Sequence, residues 1–214
     1  MQELNENKLR RSIKIKNTTS YIRGTVALKF LVFLIIGIII GGAFFGSPYI
    51  DKSSFNTDAI DKHFESVFVD CETFSEMLLT VLILSELEIR YLFLIFISGF
   101  TYFCFVASGF MMLGRGFMFG FSSSCIIFMY SEASSSVTGA VLVSYLLFNV
   151  ISLFILISLS VAAYIFSFDF RKIKRNHFVL RRAPIIYKYS FSLIIALGAL
   201  LINNFMYCLC FYIL

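Results

Sequence analysis

From Arg90 to Phe168 the chain runs for 79 residues with only two breaks in its apolar character, Gly114-Arg115-Gly116 and Ser131-Glu132-Ala133-Ser134-Ser135-Ser136. A soluble domain needs a polar shell to close over such a stretch, and this chain has little to build one from. Charged residues make up 14% of it and hydrophobic residues 59%, with a mean hydropathy of +0.87. Soluble domains carry about 25% charged and about 45–50% apolar residues. A cytosolic enzyme is thereby excluded. Five cysteines cannot all pair, and Cys104, Cys125, Cys208 and Cys210 sit in apolar runs, which excludes a disulfide scaffold. Basic residues flank the apolar runs instead of collecting on a soluble face, so nucleic acid is not an expected partner. The chain reads as an all-α, polytopic membrane helix bundle in contact with the lipid bilayer.

The first apolar run, Val26 to Phe45, matches the roughly 20 residues that cross a hydrocarbon core. It is too long for the apolar region of a signal peptide and no A-x-A-like site follows it, so it reads as a permanent anchor. The two breaks divide the long region into spans at about 91–112, 117–135 and 138–168, and a last span covers about 189–211. The total is five, in one transmembrane domain over 26–214 behind a basic segment, 1–25.

Charge gives the direction. Residues 1–29 sum to +5, residues 46–89 to −7, and residues 169–188 to +6. Lys and Arg in short flanks mark the cytoplasmic side, which places the N-terminus and loop 169–188 inside and segment 46–89 outside. An odd number of spans must then separate that outer segment from the inner loop. Three spans satisfy this and put Arg115 at an inner turn, Glu132 in an outer one and the C-terminus outside. Tyr21, Tyr91, Tyr130, Tyr187 and Tyr189 fall near predicted ends, as interfacial tyrosines do.

Within the outer segment, Ile60, Phe64, Val67, Phe68, Cys71, Phe74, Leu78, Val81 and Leu82 recur at spacings of three and four. That periodicity predicts an amphipathic helix capped by Thr57, about 25 residues and roughly 38 Å long. Its acidic polar face suits docking on protein, either this bundle or a partner, better than binding lipid. Asp58, Asp61 and Glu65 share a face but His63 points away, so a solvated acidic surface is expected there and no metal site.

Catalytic residues are not expected. Both histidines, His63 and His177, lie in loops, and no predicted span carries Asp or Glu in its interior. Gly120-Phe121-Ser122-Ser123-Ser124 lacks the last glycine of a nucleophile elbow and has no base nearby. No cofactor motif occurs. The spans instead carry packing chemistry. Gly37 and Gly41, Gly42 and Gly46, and Gly116 and Gly120 are small pairs four apart that let helix backbones approach. Tyr145, Asn149 and Ser152 share a face of the fourth span, and Asn203 and Asn204 offer hydrogen bonds in the last. Packing within the bundle and contact with another membrane protein are both open for these faces.

Taken in order, the glycine-rich end of the first span (37–46), the run Ile89-Arg90-Tyr91 to Ser98-Gly99-Phe100-Thr101, and Arg115-Gly116-Phe117-Met118-Phe119-Gly120-Phe121 resemble the stage II sporulation protein M family. The last run matches a K-G-F-x-x-G-F motif with Arg for Lys. The second span lacks the family's proline, and Leu146-Leu147-Phe148-Asn149 keeps only the first and last residues of a Leu-Pro-Gln-Asn element, as in a divergent member. The resemblance implies a non-enzymatic scaffold in a bacterial cell membrane, gathering membrane-anchored peptidoglycan hydrolases (stage II sporulation proteins D and P) during engulfment. It leaves room for a homo-oligomer. A small permease for a neutral substrate is the alternative.

Overall fold

A computed structural model of the chain describes residues 2–47, 74–132, 139–175 and 182–213, with side chains placed for 23–47, 75–128, 143–171 and 184–210. Five α-helices make up these residues: α1 (Gln2–Phe45), α2 (Phe74–Ser98), α3 (Cys104–Glu132), α4 (Gly139–Arg175) and α5 (Arg182–Ile213). The described residues contain no strand. Four stretches are long and apolar enough to cross a membrane: Arg23–Phe45, Cys104–Phe128, Val143–Arg171 and Pro184–Cys210. The protein is a multi-pass membrane protein. Its outward surfaces are apolar, with Leu28, Ile39, Phe110, Phe154, Ile194 and Ile202 all exposed, as lipid-facing side chains are.

Helix α4 is central and touches all four others, while the most extensive pairing is α1 with α3. One end of the bundle is basic. Lys29 lies 5.9 Å from the Phe105 ring centroid, and Arg171 donates to the Tyr102 carbonyl at 2.8 Å. The start of the apolar part of α1, the α2–α3 turn and the end of α4 therefore meet there. Phe45 packs against Phe121 and Phe128 at the opposite end. Successive helices alternate in direction.

The expected division between the second and third spans is corrected. No break occurs at Gly114-Arg115-Gly116; α3 passes through it without interruption. The chain turns earlier, at 99–103, where the Ser98 carbonyl accepts from the amide of Thr101 at 2.9 Å and from its hydroxyl at 2.7 Å. Ser167 and Arg171 of α4 secure the turn from outside by donating to the carbonyls of Thr101 and Tyr102. Glycines that read as a linker are instead the smooth face of a helix. Spans at 91–112 and 117–135 are thus replaced by helices over 74–98 and 104–132, and α2 recruits the end of the segment assigned to the outside. The remainder of the predicted outer helix, and the acidic group Asp58, Asp61, His63 and Glu65, lie outside the described residues.

Two of the expected interfacial tyrosines are also relocated. Tyr91 sits within α2 near Gly114. Tyr189 is buried, its ring stacked between Phe96 and Phe166 at centroid distances of 4.6 and 4.2 Å. Its hydroxyl donates to the Phe96 carbonyl at 2.8 Å. Aromatic pairs of this kind contribute about 0.5–1.5 kcal/mol each. The arrangement requires Gly99, because a Cβ there would collide with the Tyr189 hydroxyl.

A buried charged cluster joining four helices

Along α2 the buried residues Val81, Ser85, Glu88, Leu92 and Ile95 form one stripe at spacings of four and three. The apolar periodicity of the preceding segment thus continues inward through a serine and a carboxylate. Glu88 is 5% exposed and faces Arg115 of α3, itself 7% exposed. Arg115 Nη2 donates to Glu88 Oε1 at 2.7 Å and to Asn149 Oδ1 of α4 at 3.1 Å. Ser152 Oγ, also on α4, donates to the same Glu88 oxygen. Asn204 of α5 donates to Glu88 Oε2 at 3.2 Å and to Ser85 Oγ at 2.8 Å. Ser85 and Asn149 donate to backbone carbonyls of their own helices.

The cluster lies deep. The residue next to Arg115, Gly116, abuts the carbonyl of Leu34, which is the midpoint of the apolar stretch Arg23–Phe45. A lone carboxylate or guanidinium at such depth costs several kcal/mol, and pairing with satisfied hydrogen bonds offsets that cost. Both Glu88 oxygens have donors. Arg115 Nε is buried with no partner among the described residues. Arg115 also lines a partly open pocket of about 130 Å³ walled by Leu84, Leu87, Phe148, Tyr145 and Tyr207 as well as the cluster itself. A space of that volume holds several waters.

Around the cluster, Tyr145 donates to Ser122 of α3 at 3.0 Å, and Asn203 donates to the Phe148 carbonyl of α4 at 3.1 Å. Tyr145, Asn149 and Ser152, which share a face in the sequence, therefore all reach across to other helices. Two expectations are corrected. Arg115 is a buried residue of mid-helix, not part of a turn, and a carboxylate does enter the bundle. Summing charge by segment assigns Glu88 to the outside together with its neighbour Ser85. The available signal is their place on the same three-four stripe as Val81 and Leu92.

The glycines form a second interface. A Cβ on Gly37 or Gly41 of α1 would collide with the carbonyl oxygens of Leu113 and Phe117, and one on Gly116 or Gly120 of α3 with those of Leu34 and Ile38. The four positions are reciprocal, and the two backbones touch. Gly42 is less confined, since a Cβ there would lie 3.3 Å from Ser124 Oγ. Gly46 follows the helix end and donates its amide to the Gly42 carbonyl at 3.1 Å. The Gly37, Gly41, Gly116 and Gly120 faces are thus spent inside the bundle.

A larger cleft of about 860 Å³ opens at the basic end between α1, α4 and α5, with mostly aliphatic walls and Arg23, Asp169 and Lys188 in its lining. No group of three or more His, Cys, Asp or Glu side chains suited to a metal ion occurs among the described residues. Compared with protein-family models, with curated proteins and with solved structures, the chain gives no match.

Proposed function

We propose that the protein is a non-enzymatic membrane scaffold of the stage II sporulation protein M type, which holds peptidoglycan-remodelling partners at a bacterial cell membrane. The observation that carries this reading is the engagement of both Glu88 oxygens by α3, α4 and α5. The buried charge fastens four helices together and is not held free for a substrate or a proton. The glycine seam with α3 fastens the remaining helix, α1, so the bundle suits a rigid platform. The resemblance of 37–46 and 115–121 to that family supplies the kind of partner.

Crosslinking the full chain in sporulating or dividing cells and then capturing it tests the proposal. Recovery of membrane-anchored wall hydrolases is expected. Recovery of a transport ATPase without hydrolases would overturn it. The orientation that belongs to this reading has segment 46–89 outside and loop 169–188 inside, so reporter fusions at positions 60 and 178 should respond as external and internal.

The cavity beside Arg115 favours one rival, a small permease for a neutral substrate. That reading expects the 130 Å³ space to open into a continuous passage during transport. Vesicles holding the purified chain would then take up a neutral solute, and Glu88→Gln would abolish uptake; sealed vesicles favour the scaffold.

A further inference from the structure

The face of α2 opposite Glu88 is as regular as the buried one. Leu79, Ile83, Glu86, Arg90, Phe93 and Ile97 follow one another at spacings of four and three, and all are exposed. Glu86 and Arg90 form an ion pair with side chains 61% and 69% exposed. They lie at the centre of the stripe, one turn or less along the helix from the level of Glu88. That level falls inside the apolar stretches of α3, α4 and α5, because Glu88 contacts Arg115, Ser152 and Asn204.

An ion pair turned outward at that depth is out of place against hydrocarbon. Charged side chains in spanning segments face protein or water, and exposing one to the bilayer centre costs at least about 2.5–3.5 kcal/mol on insertion scales. The pair is far from either end of α2, which runs Phe74–Ser98, so snorkelling to an interface gives little relief. The flanking leucine, isoleucine and phenylalanine residues would suit lipid, yet they equally suit a helix seam with a repeat of seven residues. Helix α2 also lies at the margin of the bundle, packed on α3, α4 and α5 but not substantially on α1.

We propose that this face of α2 is a dimer interface with a second copy of the same chain. The stripe is self-complementary. When two α2 helices run parallel about a two-fold axis, Glu86 of each copy is offset by one helical turn from Arg90 of the other, a distance the arginine stem spans. Two reciprocal ion pairs then replace two lipid-facing ones, and Leu79, Ile83, Phe93 and Ile97 pack above and below them. The pairing closes on itself, so it yields a dimer and not a filament. It holds whichever proteins the bundle gathers.

Full-length chain in phosphatidylcholine vesicles tests the assignment. With Cys introduced for Ile83 or Phe93, oxidation should give a disulfide-linked dimer, whereas Cys in place of Ile39 on α1 should not. Glu86→Arg alone and Arg90→Glu alone should each weaken dimerisation roughly thirtyfold or more, since each breaks both reciprocal ion pairs and a polar interaction between membrane helices is worth about 1–2 kcal/mol. The double exchange E86R/R90E should restore it, because the reciprocal pairs re-form with reversed sign. If a single exchange prevents insertion, Glu86→Gln and Arg90→Gln give the same comparison with milder variants. A monomeric wild-type chain, or crosslinks from position 83 to the chain's own segment 48–73, would overturn the proposal. So would a double exchange that stays as weak as the singles.

Discussion

Two regions hold this bundle together by opposite means. Between α1 and α3 the side chains have been removed: Gly37, Gly41, Gly116 and Gly120 bring backbone against backbone, and dispersion over the close contact supplies the attraction. Among α2, α3, α4 and α5 the side chains do everything, with Glu88 at the centre of donors from three neighbouring helices. The difference bears on how each region fails. A glycine seam is intolerant of added atoms, whereas a charged cluster is intolerant of missing ones.

The largest effect is therefore expected at Arg115. Arg115→Leu leaves a buried carboxylate without its cation and should lower stability by about 3–5 kcal/mol. Denaturation in detergent reads the loss, and the double variant E88Q/R115L should recover a good part of it. If the double variant is no better than the single, Glu88 is not the reason for the damage. Second comes the seam. Gly41→Val and Gly116→Val force a branched side chain into an opposing carbonyl and should cost about 1–3 kcal/mol or more. Gly198→Ala, where a Cβ meets nothing within 4 Å, should be neutral or stabilising by up to about 1 kcal/mol. Equal effects at positions 41 and 198 would remove the steric basis of the seam. The smallest loss is expected at Tyr145→Phe, which deletes one interhelical hydrogen bond and should cost roughly 0.6 kcal/mol in the same assay. A loss as large as that of Arg115→Leu would mean that Tyr145 belongs to the cluster and not to its margin.

Much of this architecture is legible in the amino-acid order, and the exceptions have a common cause. The helical class, the first and last two apolar helices and the Gly37/Gly41 and Gly116/Gly120 pairs follow from run length and spacing, whereas a Cβ on Gly42 or Gly46 would meet no other helix backbone. The division between α2 and α3 does not. Glycine, arginine and glycine in succession resemble a linker when read locally, because a charge and two flexible residues interrupt an apolar run. The glycine at 116 is there so that the helix can meet Leu34, and the arginine because a carboxylate waits across the interface. The same local logic misplaces Glu88: taken as a surface charge, it ends the apolar reading just where the helix goes on.

Hydropathy and charge commit this chain to a membrane, as a helical bundle with basic and acidic flanks, before any fold is known. Both are properties of each residue, and they sum along a chain. Which charges leave the solvent was settled by the packing of the helices. Whether Glu88 and Arg115 are surface groups or a buried pair depends on whether two residues 27 positions apart are brought face to face. Complementarity between two side chains is a property of neither residue alone, and no local count contains it.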